Sequence, residues 1–231
     1  MPPPPPPALF LHGAGGGGWE WAIWRRVFAA AGWRTVAPDL SPVAGGLAAT
    51  RFEDYLAQVQ ALCRAGPPPL LVGASLGGLL AAAAAGAGTA VAGLVLVNPA
   101  PPAPWHPGQP APSPPVRAWR GRASLAGTRR AMPDADPATV LYALRRWRDE
   151  SGAVLDAVAR GLAVAPAACP CLVVIGGADR DVAPVAMRAM AGAWAAETIE
   201  VPGLAHLDPL LGRSAAILAA RACAWAGARS E

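Results

Sequence analysis

The sequence contains no lysine: all 19 of its basic residues are arginine. That excludes mechanisms built on a lysine amine, such as a Schiff base or the ammonium of a phosphate-binding loop. Charge of either sign is scarce, at 15% of residues against 54% apolar, and a disordered chain is excluded with it. Only three histidines are present, so candidates for a general base are few. The four cysteines, Cys63, Cys169, Cys171 and Cys223, form no metal pattern, because Cys169-Pro-Cys171 has one intervening residue where common zinc and redox motifs have two. Long apolar runs are missing as well. Residues 65–116 carry no charge, yet glycine and proline interrupt them too often for a membrane helix. Their short runs, Leu70 to Val72 and Leu94 to Val97, read instead as strands buried on both faces. Met1 and the six prolines after it lack the basic and apolar regions of a signal peptide, so a reduced, cytoplasmic protein is expected. No nucleic-acid motif is present.

What is present alternates. A short apolar run, Ala8 to Leu11, ends in His12-Gly13 and four glycines from Gly15. A helical pattern spans Trp19 to Ala31 and closes at Gly32. A second strand, Arg34 to Ala37, is stopped by Pro38-Asp39. Thr50 and Glu53 read as a capping box for a helix through Arg64. A third strand, Leu70 to Val72, enters Gly73-Ala-Ser75-Leu-Gly77, and an Ala-rich helix follows to Ala85. The fourth strand is Leu94 to Val97. Pro99 to Pro115 then holds nine prolines in 17 residues, an extended linker. Helical patterning from Val116 to Ala165, with Asp136-Pro137 as one helix start, precedes a strand at Cys171 to Ile175. A helix over Pro184 to Ala196, a strand over Glu197 to Val201 and a helix over Gly212 to Ala226 complete the chain. Short strand–helix connections predict an α/β protein with about six parallel strands flanked by helices, and a helical insertion after the fourth. The core is expected over 1–100 and 166–231, with linker and insertion over 101–165. The excess charge of +4 lies in that insertion: between Val116 and Glu150 eight arginines face four acids. A solvated helical face explains it, and so would contact with an anionic substrate.

Gly73-Ala-Ser75-Leu-Gly77 is G-x-S-x-G after an apolar strand and before a helix, the context a nucleophile elbow needs. A serine hydroxyl requires a base, and His206, in the loop after the last strand, is the candidate. His106 lies in the linker, and His12 is better suited to shaping its glycine loop. The base needs a carboxylate to fix its tautomer. Asp179 sits at the turn after Gly176-Gly177 and is favoured over Asp181, which suits a helix cap; Asp208 is close to His206 in sequence. Backbone amides of Ala14 and Leu76 are candidate oxyanion donors. Trp19, Trp21 and Trp105 are candidate pocket residues, and the first two equally suit core packing at a helix start.

These pieces, His12-Gly13-Ala14-Gly15-Gly16, Gly73-Ala-Ser75-Leu-Gly77-Gly78, Gly176-Gly-Ala-Asp179 and Pro202-Gly-Leu-Ala-His206, together resemble the α/β-hydrolase superfamily, in its Ser–Asp–His order. The resemblance implies a triad of Ser75, Asp179 and His206 that works without metal or cofactor, and a helical cap over the site. It also implies that two strands usually precede the His-Gly strand. Only Met1 to Pro7 do so here, so six all-parallel strands are expected. Ala74 stands where many members carry His. Relatives with an Asp or Cys nucleophile differ at Ser75, and the hydroxynitrile lyases need a lysine. The expected activity is hydrolysis of a small or medium carboxylic ester, a small-molecule substrate. Thioester or carbon–carbon bond hydrolysis by the same triad stays open. So does a ligand-binding or signalling protein on a hydrolase fold.

Overall fold

The structure is a computed structural model and describes residues 5–106 and 112–229. Residues 107–111 of the Pro-rich linker, the first residues of the N-terminal proline run and the last two of the chain lie outside them. The described elements are β1 (Ala8–Leu11), α1 (Ala22–Ala30), β2 (Thr35–Val36), α2 (Phe52–Arg64), β3 (Leu70–Ala74), α3 (Leu76–Gly86) and β4 (Gly93–Val97). Then come β5 (Val116–Arg117), α4 (Leu125–Ala131), α5 (Pro137–Leu144), β6 (Glu150–Ser151) and α6 (Gly152–Arg160). The chain ends with β7 (Cys171–Gly176), α7 (Pro184–Ala193), β8 (Glu197–Val201), α8 (Asp208–Leu211) and α9 (Ala215–Gly227). Six strands form one sheet in the order β2-β1-β3-β4-β7-β8, every pair parallel, as expected.

Alternation along the strands sorts side chains into two cores. Ala8, Phe10, Val72, Val95 and Val174 face Trp21, Trp24 and Phe28 around α1, and Leu218 and Ala222 of α9. Leu9, Leu11, Leu71, Leu94, Leu96 and Val173 face Phe52 and Val59 of α2, α3 and the methionines of α7. Helices therefore cover both faces of a sheet whose strands are apolar throughout. Ten residues of α3 are buried, which its alanines permit because small side chains let a helix lie close to the strands. Each large aromatic buried here stabilises by roughly 2–3 kcal/mol.

Local chemistry sets the element ends. The Gly32 N–H donates to Ala29 O and the Trp33 N–H to Phe28 O, both at 3.0 Å. Gly32 has φ +86°, and Trp33 packs edge-on to Phe28 at 5.6 Å, so α1 closes in a Schellman turn that needs glycine. At α2 the expected cap shifts by one residue. The Asp54 carboxylate accepts the Arg51 N–H at 2.7 Å, while the Thr50 hydroxyl is taken by the preceding turn, donating to Gly46 O and accepting from the Val43 N–H. Side chains of Ser124, Asp136 and Ser151 cap α4, α5 and α6. The segment between β4 and β7 also holds a feature its helical patterning hides, an antiparallel pair of two-residue strands joining Val116–Arg117 to Glu150–Ser151. No helix of the described residues is long and apolar enough to cross a membrane.

Candidate active site

The carboxyl ends of β1, β3, β7 and β8 converge on one cavity of about 500 Å3. At the end of β3 the chain turns through Ser75 at φ 51°, ψ −119°, and α3 starts at the next residue. A non-glycine residue in that region costs roughly 1–3 kcal/mol. Three hydrogen bonds hold it there: the Ser75 N–H donates to Val97 O, and its carbonyl accepts from the Leu79 and Ala100 N–H groups. The turn closes only because its flanks lack side chains. A Cβ on Gly73 would stand 2.3 Å from Gly77 O, and one on Gly77 would stand 2.2 Å from Leu11 O. Gly13 rests against Ser75, where an added Cβ would meet the serine Cβ at 3.3 Å. Ser75 lines the cavity, and Leu76, one residue on, opens α3 with its side chain buried.

His206 reaches the same cavity from the loop after β8. Its Nδ1 lies 2.7 Å from Asp179 Oδ2, on a carboxylate fully shielded from solvent. The other oxygen of Asp179 accepts the N–H groups of Asp181 and Val182, so the carboxylate is fixed before the histidine arrives. Burial opposes the imidazolium, yet the Asp179 hydrogen bond and charge, with Asp181 and Glu20 further off, raise the His206 pKa above its ordinary value. Donor atoms of Asp179, Asp181 and His206 cluster within 4.8 Å. Both Asp179 oxygens and His206 Nδ1 are engaged in hydrogen bonds with each other and with backbone N–H groups.

Two residues hold the histidine loop: Asn98, which sequence reasoning missed, and Asp208, which it weighed only as a partner for the imidazole. Asn98, at φ 41° after β4, donates to His206 O at 2.9 Å and accepts the Gly176 N–H at 2.7 Å, tying three strand ends together. Asp208 is fully buried; its carboxylate accepts the Ala205 N–H at 2.7 Å and the Asp134 N–H at 2.9 Å. It braces the loop and does not face the imidazole's Nδ1.

The glycine loop after β1 is built by side chains from elsewhere. His12 Nε2 accepts the Leu40 N–H at 2.9 Å and lies 3.0 Å from Arg148 Nη2, so Nδ1 carries the proton and donates to Gly13 O. Burial above all lowers the His12 pKa to about 4, and Arg148 adds to the effect. His12 thus shapes the loop, as its position suggested. Arg148 also donates through Nε to Gly16 O at 2.6 Å and pairs with Asp39. The Glu150 carboxylate accepts N–H groups of Gly15 and Ser151 and the Tyr55 hydroxyl. The Trp119 ring occupies the space a side chain on Gly15 would need. Ala14 lines the cavity. No sequence signal marks the grip of Arg148 and Glu150 on this loop, because they lie more than 130 residues from Gly15 and Gly16.

The tryptophan expectation is corrected. Trp21 is fully buried in the core against Phe10 and Trp24, at 5.3 and 5.5 Å between ring centres. Trp19 stands behind the cavity wall, edge-on to Tyr142 and Trp147. Trp105 packs on Trp194, away from the cavity. The aromatic wall is made by Trp119 and Trp147 instead, the latter fixed by an Nε1–H bond to the Thr128 hydroxyl at 3.0 Å. The anionic-substrate idea narrows in the same way. Arg148 is engaged by the loop and Arg146 stacks on Tyr142, which leaves Arg122 as the arginine lining the cavity among the described residues.

A parallel sheet with a serine on a strained strand-to-helix turn, and a carboxylate-held histidine after the last strand, defines the α/β-hydrolase class of architecture. The chain belongs to the alpha/beta hydrolase family, whose model matches residues 8–221. Among solved structures it is similar to a pyrethroid hydrolase from Sphingobium faniae, at 21% identity and a TM-score of 0.73, covering 96% of this chain and 98% of that one. It is similar to a methylesterase from Arabidopsis, at 16% identity and a TM-score of 0.71, covering 95% and 99%. Tomato methylketone synthase I, crystallised with 2-tridecanone, is similar at 14% identity and a TM-score of 0.77, covering 98% and 99%. No curated protein matches the sequence.

Proposed function

We propose that the protein is a serine hydrolase of a small or medium carboxylic ester. The observation that carries this reading is the opening of Ser75, on its strained turn, and the Asp179-held His206 into one cavity. Ser75 Oγ attacks the ester carbonyl and His206 Nε2 takes its proton. Asp179 keeps Nδ1 protonated and stabilises the imidazolium that forms. The Ala14 and Leu76 amides receive the oxyanion, and the positive end of α3 adds to their field. His206 returns the proton to the leaving alcohol, and water repeats the cycle on the acyl-enzyme. Residues 101–165 act as the cap that shapes the pocket, through Trp119, Thr128 and Trp147. The names of two structural neighbours, a pyrethroid hydrolase and a methylesterase, support hydrolysis over other chemistry on this fold.

Reaction with a fluorophosphonate tests the reading. Wild type is expected to be labelled at Ser75, and Ser75→Ala to lose labelling and at least 10,000-fold in kcat, the scale seen when a triad nucleophile is removed. A folded wild type that resists the probe would end it. A panel of esters against thioesters of matched acyl length then sets the substrate class.

A further inference from the structure

One buried acid at the cavity has no part in the scheme above. Glu20 lies one residue before the fully buried Trp21 and is itself only 1% exposed, yet it lines the cavity with Ser75, His206 and Ala14. Its Oε2 accepts the Gly13 N–H at 3.2 Å. Its Oε1 makes no hydrogen bond among the described residues. Gly16 makes room for it: a Cβ there would fall 1.9 Å from Oε1. A carboxyl oxygen without a protein partner, on a residue that lines a cavity of ligand size, is left to bond whatever occupies that cavity. The loop that holds Glu20 is the one that carries the Ala14 amide.

We propose that Glu20 is a further catalytic residue, whose free oxygen hydrogen-bonds the substrate at the reacting carbonyl. It joins the Ala14 and Leu76 amides around the developing oxyanion, and so rests on the serine-hydrolase reading. Burial raises the Glu20 pKa to about 8, against the Gly13 N–H and the positive pull of His206 and Arg148, which lower it. The charged groups that act on it are His206 from the loop after β8, Arg148 from the inserted segment and Asp39 from the loop after β2. Asp181 shares the cavity. Around neutral pH the acid is a donor. When it ionises, it loses the donor and places a negative charge beside the oxyanion.

The test is the rate of Ser75 phosphonylation by a fluorophosphonate from pH 5.5 to 10, for wild type, Glu20→Gln and Glu20→Ala. The expected wild-type rate falls above about pH 8. Glu20→Gln keeps a donor of the same shape, stays within tenfold of wild type at pH 7 and loses the alkaline fall. Glu20→Ala drops about a hundredfold at pH 7, the scale of one oxyanion donor. A residue that only positioned Gly13 would lower the rate at every pH without moving the alkaline limb. An alkaline limb unchanged in Glu20→Gln overturns the role of Glu20 while labelling leaves the serine-hydrolase reading standing. Absence of labelling in wild type overturns both.

Discussion

Two glycine-rich loops meet at Ser75, and they are held by different means. The elbow, Gly73 to Gly78, is held by sterics and its own backbone: Gly73 lies against Gly77, Gly77 against β1, and Ser75 bonds to Val97 and Ala100. Nearly everything it needs lies within a few residues or on the neighbouring strand. The loop from Gly13 to Gly18 is held by polar side chains, Glu20 from just after it, Asp39 from the loop after β2, and Arg148 and Glu150 from far along the chain. The first kind of loop is rigid by exclusion and insensitive to pH. The second is rigid by hydrogen bonds to titratable side chains, so solvent conditions and distant substitutions can loosen it.

The largest effect that would sharpen this contrast is Gly77→Ala. The added methyl has only backbone to push against, so a loss of more than 3 kcal/mol in denaturant unfolding, or failure to fold, is expected. A stable, active variant would mean that the elbow is looser than its contacts imply.

Next comes pH, which acts on the glycine loop through Glu20 and His12. Glu20, raised to about 8 in the fold from an ordinary 4.5, holds a proton that the unfolded chain has lost, so its contribution to stability falls as pH rises through that window. At pH 7 this amounts to roughly 3 kcal/mol. His12, lowered to about 4 from 6.5, works the other way, and stability is lost as pH falls from 6.5 towards 4. The two slopes oppose each other between pH 4.5 and 6.5. Urea unfolding across pH should show Glu20→Gln more stable than wild type near pH 8 and equal to it below pH 4.5. Equal stabilities at pH 8 would place the strain of this loop elsewhere.

The smallest effect concerns the distant grip. Glu150→Gln removes one acceptor from a carboxylate that receives three hydrogen bonds, with an expected cost of about 1–2 kcal/mol and about tenfold in phosphonylation rate. A change in stability with no change in rate would separate the fold of the inserted segment from the geometry of the glycine loop.

The sheet and the loops that carry Ser75 and His206 were legible in the sequence because their signals are local. Strands buried on both faces read as short apolar runs, and an elbow needs its glycines at fixed offsets. Asp179 and His206 each follow a strand at loop distance. The rest depended on long-range packing. The paired strands Val116–Arg117 and Glu150–Ser151 are two residues long and sit inside helical patterning. Trp21 reads equally as pocket or core until Phe10 and Trp24 are seen around it. Glu20, between two tryptophans, looks like an ordinary exposed acid at a helix start. Only Gly13 and Gly16, folded over it, reveal a buried one.

The contacts of Arg148 and Glu150 have a bearing on how such a protein can be re-engineered. Swapping 116–151 for the equivalent stretch of a relative is an obvious route to a new substrate range, since it would exchange Trp119, Thr128 and Trp147 together. The same swap would strip the acceptor from the Gly15 N–H, the donor from Gly16 O and the cation beside His12. A chimera that recruits new walls therefore has to carry over these two side chains, or its specificity gain will arrive with a slackened reaction centre.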